Sequence, residues 1–438
     1  MTDSIQTKVV IAVTALICVA HVLGTAYSSG ISEPVVQGDA RSYFAYLPSI
    51  VLDGDLDLTN QFDALRPEGG DPRYPFGVGA EGYAANVFPV GPALLWLPGY
   101  LVGLAMDRAA AAMGVDTGPM GYGRLAGWGA AIAAIAWAGV GFELSRRLVR
   151  EFFGARYALA ASLAVWFGTP ALYYTMVAPL YSHAVALFAC ALVVWLSWLA
   201  FHDPATWWRW AVAGCAGGLL VAIRLQDAPI LLVPIGLLLL PVPDVRQRLR
   251  STAALIAGGV VGYLPQAYVW YALHGEIIPS QGLGEPRPLS LSRLVEVLLS
   301  TGYEGWLSWT PLALVALAGL LTVAMGSFPA PERSVALSAF IGILALVFID
   351  VIHPYGQGAA FGARRYVSAT PLLIIGIGGA VAWCSGRARL QKVGPALIGV
   401  LVVAELWLFM AYELLVLRHG VYGNLISTWR YALGLWNV

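Results

Sequence analysis

The chain has 438 residues, 59% of them hydrophobic and 11% charged, with a mean hydropathy of +0.72. A soluble domain carries roughly 25% charge, so this composition excludes an ordinary globular fold and predicts a polytopic helical membrane protein. The 25 basic and 25 acidic residues cancel, which leaves no excess charge to recruit nucleic acid.

A membrane crossing needs about 20 apolar residues. Lys8 stands at the start of the first such run, about 8–28. No small-residue cleavage site follows it, so the run reads as a spanning helix and not as a removed leader. Further runs lie at about 122–142, 157–177 and 184–201. The stretch 208–243 has room for two crossings, broken at "RLQDAP"; then come 252–272, 304–324, 334–351, 366–383 and 393–413. These runs predict an all-α transmembrane bundle of about eleven spans. No internal repeat is visible, and 1–438 reads as a single membrane domain. Cys18, Cys190, Cys215 and Cys384 lie in or at the end of apolar runs and form no CxxC, so they read as small buried hydrophobes.

Charge sets the orientation. The basic connections are Arg146, Arg147, Arg150 and Arg156; Arg209; Arg246, Arg248 and Arg250; Arg333; and Arg387, Arg389 and Lys392. All become cytoplasmic in one orientation, as the positive-inside rule asks. The other face then receives 31–121, 173–183, 224–227, 273–303, 351–365 and the tail after Arg418. One segment resists: "FPVGPALLWLPGYLVGLAMD" (88–107) is apolar enough to cross. A crossing there would move the Arg146–Arg156 cluster outside, and Pro89, Pro92 and Pro98 would disturb a simple span. An interfacial or re-entrant helix is expected instead, within a first outer loop (31–121) built of juxtamembrane helices.

Four stretches from distant parts of the chain then face the same side: "QGDARSYFAYLPSIVLDGDLDLTN", "PLYSH", "RLQD" and "HPYGQGAAFGARRY". Acids opposite arginines and histidines suit an anionic ligand beside a proton acceptor. Asp39 opens a short helix with Tyr43, Tyr46, Leu47 and Ile50 along one stripe. It is either that helix's N-cap or a general base. Asp53, Asp55 and Asp57 alternate, but Leu58 and Ala64 stand where a calcium loop needs Gly and Glu, so a turn is expected and not a metal site. His183 opens a span, as an interfacial residue or a substrate contact. Arg224 sits in an apolar stretch, where it either pairs with Asp227 or binds a lipid phosphate. Arg364 and Arg365 close a loop containing Gly356, Gly358 and Gly362 and break the charge pattern. Their forks suit phosphate; interface anchoring is the alternative. Tyr43, Gln226, His353 and Tyr355 complete the candidate substrate contacts. Trp306, Trp309, Tyr173 and Tyr174 fit an interfacial aromatic belt.

With these segments in place, the chain resembles the GT-C superfamily of polytopic glycosyltransferases, a group that includes protein O-mannosyltransferases and the lipid A aminoarabinose transferase. "QGDARSYFAYLPSIVLDGDLDL" stands where that family carries a loop aspartate after its first crossing, and "FPVGPALLWLPGYL" is similar to its proline-rich juxtamembrane segment. "YYTMVAPLYSHAVALF" is similar to its second outer loop. The resemblance implies a polyprenyl-phosphate sugar donor, transfer with inversion on the extracytoplasmic side of the bacterial inner membrane, Asp39 as general base, and Arg224 on the donor phosphate, joined by Arg364 and Arg365. It implies no cofactor that the residues would favour, although some divalent metal could serve. The acceptor is a glycan, lipid or protein hydroxyl. This chain departs from the family pattern in that Ala40 follows Asp39, so no second acid stands there. A non-enzymatic carrier or flippase for lipid-linked sugars is the alternative, and a structural subunit of an envelope assembly a third. A transporter would show inverted repeats and midplane charges; the charges here gather at one face.

Overall fold

The computed structural model of the chain describes residues 2–28, 36, 38–65, 82–203, 206–240, 244–280, 284–302, 305–355 and 361–435. These residues fold as helices joined by short connections. α1 (Asp3–Ser28) leads into α2 (Ala40–Phe44), α3 (Tyr46–Pro48), a π turn (Ser49–Asp53) and α4 (Thr59–Leu65). Next come α5 (Gly91–Ala112), α6 (Arg124–Phe153), α7 (Ala155–Phe167), α8 (Ala171–Met176) and α9 (Ser182–His202). The middle of the chain holds α10 (Trp208–Ile223), a 3-10 turn (Leu225–Leu231), α11 (Leu232–Leu238) and α12 (Val245–His274). It is followed by α13 (Leu291–Leu299), α14 (Trp306–Trp309), α15 (Leu312–Met325), α16 (Ala330–Ile352), a second 3-10 turn (Arg364–Ala369), α17 (Thr370–Ser385), α18 (Leu390–His419) and α19 (Leu425–Ala432).

Among the described residues, seven helical segments are long and apolar enough to cross a membrane: α1, α6, α9, α12, α16, the run 364–385 and α18. The chain is an integral membrane protein. α9 and the run 364–385 are central, 72% buried, whereas α1 is only 17% buried and lies at the periphery. Four further apolar helices, 155–167, 208–223, 225–238 and 312–325, are too short to qualify. Seven full-length and four shorter apolar helices thus stand among the described residues.

The expected spans 157–177, 208–243 and 304–324 are each cut. Pro170 and Pro311 follow two of the breaks, because proline lacks an amide hydrogen and bars the helical region to the residue before it. Arg224 makes the third, with extended backbone at φ −152°. Within a bilayer, broken backbone persists only where protein or a cavity covers it. All three breaks gather at one end of the bundle: Gly362 lies against Pro170, Trp309 meets Phe361 edge-on at 5.3 Å, and Arg224 reaches His183.

The opposite end carries the basic connections. Asp3 pairs with Arg146 at 2.8 Å, so α1 begins where α6 ends. Tyr157 Oη donates to Ser385 Oγ at 2.8 Å, and Arg333 Nε donates to the Ala324 carbonyl at 3.1 Å, both at this end. Because α1 and α6 are antiparallel, the chain between them returns to the end it left, as the arginine pattern predicts.

α5 achieves this return without lying flat. The Leu95 carbonyl accepts Trp137 Nε1–H at 2.8 Å, while Asp107 accepts the Leu125 and Ala126 amides at 3.3 and 2.9 Å. α5 thus stands upright, antiparallel to the first half of α6. Gly99 and Gly103 bring its backbone against Gly129 and Leu125, a closeness that side chains would prevent. The expected interfacial or re-entrant helix at 88–107 is thus a helix packed lengthwise on α6. The helix after Asp39 differs from expectation too. Residues 40–49 are buried apart from half-buried Arg41, and Ile50 is exposed, so this segment is enclosed instead of presenting one apolar stripe.

A glycine seam joins α10 to α12. Gly214 and Gly218 abut the carbonyls of Leu255 and Gly259, and Gly258 and Gly262 abut those of Ala211 and Cys215. The two helices run parallel in near backbone contact. Since α10 ends at Ile223, the seam fixes the stem on which Arg224 is mounted.

Candidate active site

Asp39 is placed by the residue before it. Gly38 has φ +56°, a conformation that costs a residue bearing Cβ, and a methyl there would also collide with the Tyr181 hydroxyl. Asp39 occupies the N-cap position of α2 but makes no capping bond with its side chain. Its Oδ2 instead meets Arg364 Nη1 at 3.1 Å. The ion pair therefore replaces the capping role open to this acid from sequence. The Asp39 side chain stays 38% exposed and that of Arg364 19%. The Arg364 guanidinium lies over the Tyr181 ring, 5.6 Å from its centroid. Tyr181 stacks on His183 at 6.2 Å and meets Tyr174 edge-on at 6.0 Å. Burial, reinforced by the nearby Asp39 charge, pushes the Tyr181 phenol up, so it stays neutral.

Arg224 turns back from the end of α10. Its Nη1 donates to His183 Nδ1 at 2.8 Å and lies 3.4 Å from Ser182 Oγ, while its Nε pairs with Asp227 Oδ2 at 3.1 Å. A guanidinium only donates, so His183 accepts at Nδ1 and carries its proton on Nε2. Tyr43 Oη donates to Ser182 Oγ at 3.1 Å. Burial pushes the Tyr43 phenol up to about 12, which keeps that hydroxyl protonated at neutral pH. Asp227, fully buried, accepts Ser368 Oγ–H at 2.8 Å. Arg224 itself is 7% exposed, yet its Nη2 has no hydrogen-bond partner among the described residues. Asp227 takes one edge of the fork and leaves Nη2 for another acceptor.

Arg365 sits differently. It pairs with Asp350, and its Nη2 donates to the Tyr355 carbonyl at 2.8 Å and to His353 Nδ1 at 3.0 Å. Tyr366 Oη donates to the second Asp350 oxygen at 3.0 Å, and the Tyr366 ring stacks on Trp306 at 4.2 Å. Burial, helped by the Arg365 charge, lowers His353 to about 4, so this imidazole is neutral at neutral pH. Gln226 borders a cavity of about 10 Å³ shared with Asp350, Arg365 and Tyr366. That is room for about one water molecule.

The nine candidate residues from the sequence thus form one connected cluster. His183 lies in the fields of Arg224, Arg364 and Arg365 together, and Tyr43 in those of Arg224, Asp39 and Arg364. Asp53, Asp55 and Asp57 do not join them. Asp53 accepts Asn60 Nδ2–H at 3.0 Å, Asp55 the Asp57 amide at 3.2 Å, and Asp57 the Thr59 hydroxyl at 2.6 Å, so these carboxylates shape their own turn. Gly356 and Gly358 lie outside the described residues. Trp306, Trp309, Tyr173 and Tyr174 are buried, at 2%, 0%, 9% and 0% exposure, and pack on one another's neighbours as an interior aromatic cluster, not an interfacial belt. Asp350, Ser182, Ser368 and Tyr366 were not singled out from sequence. Asp350 had a signal, an acid inside the apolar run "ALVFIDVI". Among the described residues, no group of three or more His, Cys, Asp or Glu side chains converges to hold a metal ion.

No protein-family model matches the chain, and no curated protein matches it. Solved structures do share its fold. The crystal structure of ArnT from Cupriavidus metallidurans bound to undecaprenyl phosphate aligns with a TM-score of 0.54 at 16% identity, covering 98% of this chain and 74% of that one. The apo crystal structure of the same protein gives the same TM-score and coverage at 18% identity. The likeness extends over nearly the whole chain, which shares the fold of ArnT.

Proposed function

We propose that the chain is a glycosyltransferase that moves a sugar from a polyprenyl-phosphate donor to an acceptor hydroxyl, with inversion, at the extracytoplasmic face of a bacterial inner membrane. One observation carries this reading. A carboxylate paired with one arginine, and a second, buried arginine with a donor atom left without a partner among the described residues, share the end of the bundle where the helices break, opposite the basic connections. The fold supports it, since ArnT with that fold was crystallised with undecaprenyl phosphate.

The chemistry follows from the side chains. The acceptor oxygen attacks the anomeric carbon, the bond from that carbon to the phosphate oxygen breaks, and polyprenyl phosphate leaves. Negative charge grows on the departing phosphate, where Arg224 Nη2 and the Arg364 fork stabilise it. Arg365 adds its charge to the same field. The acceptor proton passes to Asp39. His183 and Asp227 hold the Arg224 fork in place, and the neutral hydroxyls of Tyr43 and Ser182 offer hydrogen bonds to the sugar. No cofactor is assigned: the arginines take the role a metal would fill. Orientation rests on the positive-inside rule.

The test is a strain lacking the gene, complemented with wild type or Asp39→Asn, followed by mass spectrometry of lipid-linked sugars and envelope glycans. The expected outcome is accumulation of one lipid-linked sugar and loss of one glycan modification in both the deletion and the Asp39→Asn strain. Normal modification by Asp39→Asn would sink the assignment. Transport of lipid-linked sugar by purified protein in liposomes, unaffected by Asp39→Asn, would favour a carrier instead.

A further inference from the structure

Building on the transferase reading, we infer that Arg364 is shared between two anions: Asp39 holds it in the ligand-free protein, and the donor phosphate takes it over, freeing Asp39 to act as base. The three arginines of the site differ in how firmly they are held. Arg224 is fixed by Asp227, which is fully buried, and by His183. Arg365 is fixed by Asp350, 2% exposed, together with His353 and the Tyr355 carbonyl. Arg364 has one ion-pair partner among the described residues, Asp39, whose side chain is 38% exposed.

A pair that is partly open to water is more easily exchanged than a buried one, because water and salt screen it and the side chains gain freedom on parting. The donor's phosphodiester brings one charge spread over two non-bridging oxygens, and the phosphate monoester that leaves brings up to two, so the fork gains from the ligand more acceptors than the one half-exposed carboxylate oxygen it holds. The guanidinium need not travel far. It rests on the Tyr181 ring, 5.6 Å from the centroid, and that ring is held by Tyr174 and His183. It can swing its donors from one oxygen to another while keeping this platform. Until it does, the guanidinium engages Asp39 Oδ2. Donor and base are thereby coupled: the ligand that brings the leaving group also releases the carboxylate that takes the proton.

The test measures undecaprenyl phosphate binding to purified full-length protein in detergent, by intrinsic tryptophan fluorescence. It compares wild type, Asp39→Asn, Arg364→Gln and the double variant, each first checked for a wild-type unfolding temperature without lipid. Removing Asp39 relieves the competition, so Asp39→Asn should bind the lipid about two- to fivefold more tightly. In the Arg364→Gln background the same change should have no effect. Arg364→Lys supplies a second background that keeps the charge but loses the fork, and there the tightening should shrink. Equal tightening in every background would mean simple charge removal and would overturn the inference, as would no tightening in the wild-type background. Absence of lipid binding by wild type, or binding indifferent to Arg224→Ala, would remove the transferase reading and the inference with it. Arg224-dependent binding with additive Asp39 and Arg364 effects would remove the inference alone.

Discussion

Arg364 and Arg365 are neighbours in sequence and opposites in setting. They open a 3-10 turn, in which successive side chains diverge by about 120°, so the two forks point to different partners. Arg365 is clamped by a buried acid, a histidine and a carbonyl. Arg364 meets one half-exposed acid and an aromatic face. The dipeptide thus contains one arginine held firmly and one held loosely. Burial of the partner carboxylate, not the arginine itself, decides which is which.

That contrast can be broken or sharpened by substitution. The largest effect is expected at Asp39. Asp39→Asn should lower transfer by about 10²–10⁴-fold, the usual contribution of a general base, while shifting stability by less than about 1 kcal/mol because its ion pair is exposed. Asp350 should behave in the opposite sense. Asp350→Ala leaves Arg365 charged and buried without its acid, at a cost of about 3–5 kcal/mol. Thermal unfolding in detergent compares the two directly; equal destabilisation would erase the distinction between the two arginines.

Gly38 gives an intermediate effect. Gly38→Ala adds about 1–2 kcal/mol of backbone strain and pushes on Tyr181, displacing Asp39 from Arg364. Transfer should drop about a hundredfold, in keeping with a misplacement near 1 Å. Gly54→Ala, also at positive φ but with open space around it, should show the strain without the loss of activity. The smallest effect concerns pH. His353 is lowered to about 4 from 6.5 in the unfolded chain, so the unfolded chain takes up the proton first as pH falls. Stability should therefore be full above pH 6.5 and decline between 6.5 and about 4, with a shallower decline in His353→Gln. Thermal unfolding measured across that window checks the sign; a rise in stability would contradict the neutral, buried imidazole beside Arg365.

Much of this arrangement was legible in the sequence, because an apolar chain makes every charge conspicuous. The long spans follow from apolar runs, and their directions from the arginines between them. Asp39, His183, Arg224 and Arg364 stood out as polar groups on one side. What stayed hidden were relations between distant segments. Nothing local says that Asp39 pairs with Arg364 while Asp350 pairs with Arg365. Gly99 and Gly103 look like weak helix formers until Gly129 and Leu125 are known to lie against them. Pro170 and Pro311 were visible, yet the apolar residues on either side kept a spanning window intact across both breaks. The aromatic residues near the ends of spans were taken for lipid anchors because composition cannot tell an interface from an interior packed at the same depth.

The glycine seam between α10 and α12 bears on how the molecule moves. Two helices welded along their backbones bend together or not at all, so Arg224, mounted at the tip of α10, is a stationary post. On the proposed function, a bulky prenyl tail enters and leaves beside it. What yields must then lie outside such a weld, foremost the ion pair between Asp39 and Arg364. In mechanical terms that pair is the latch and Arg224 the frame.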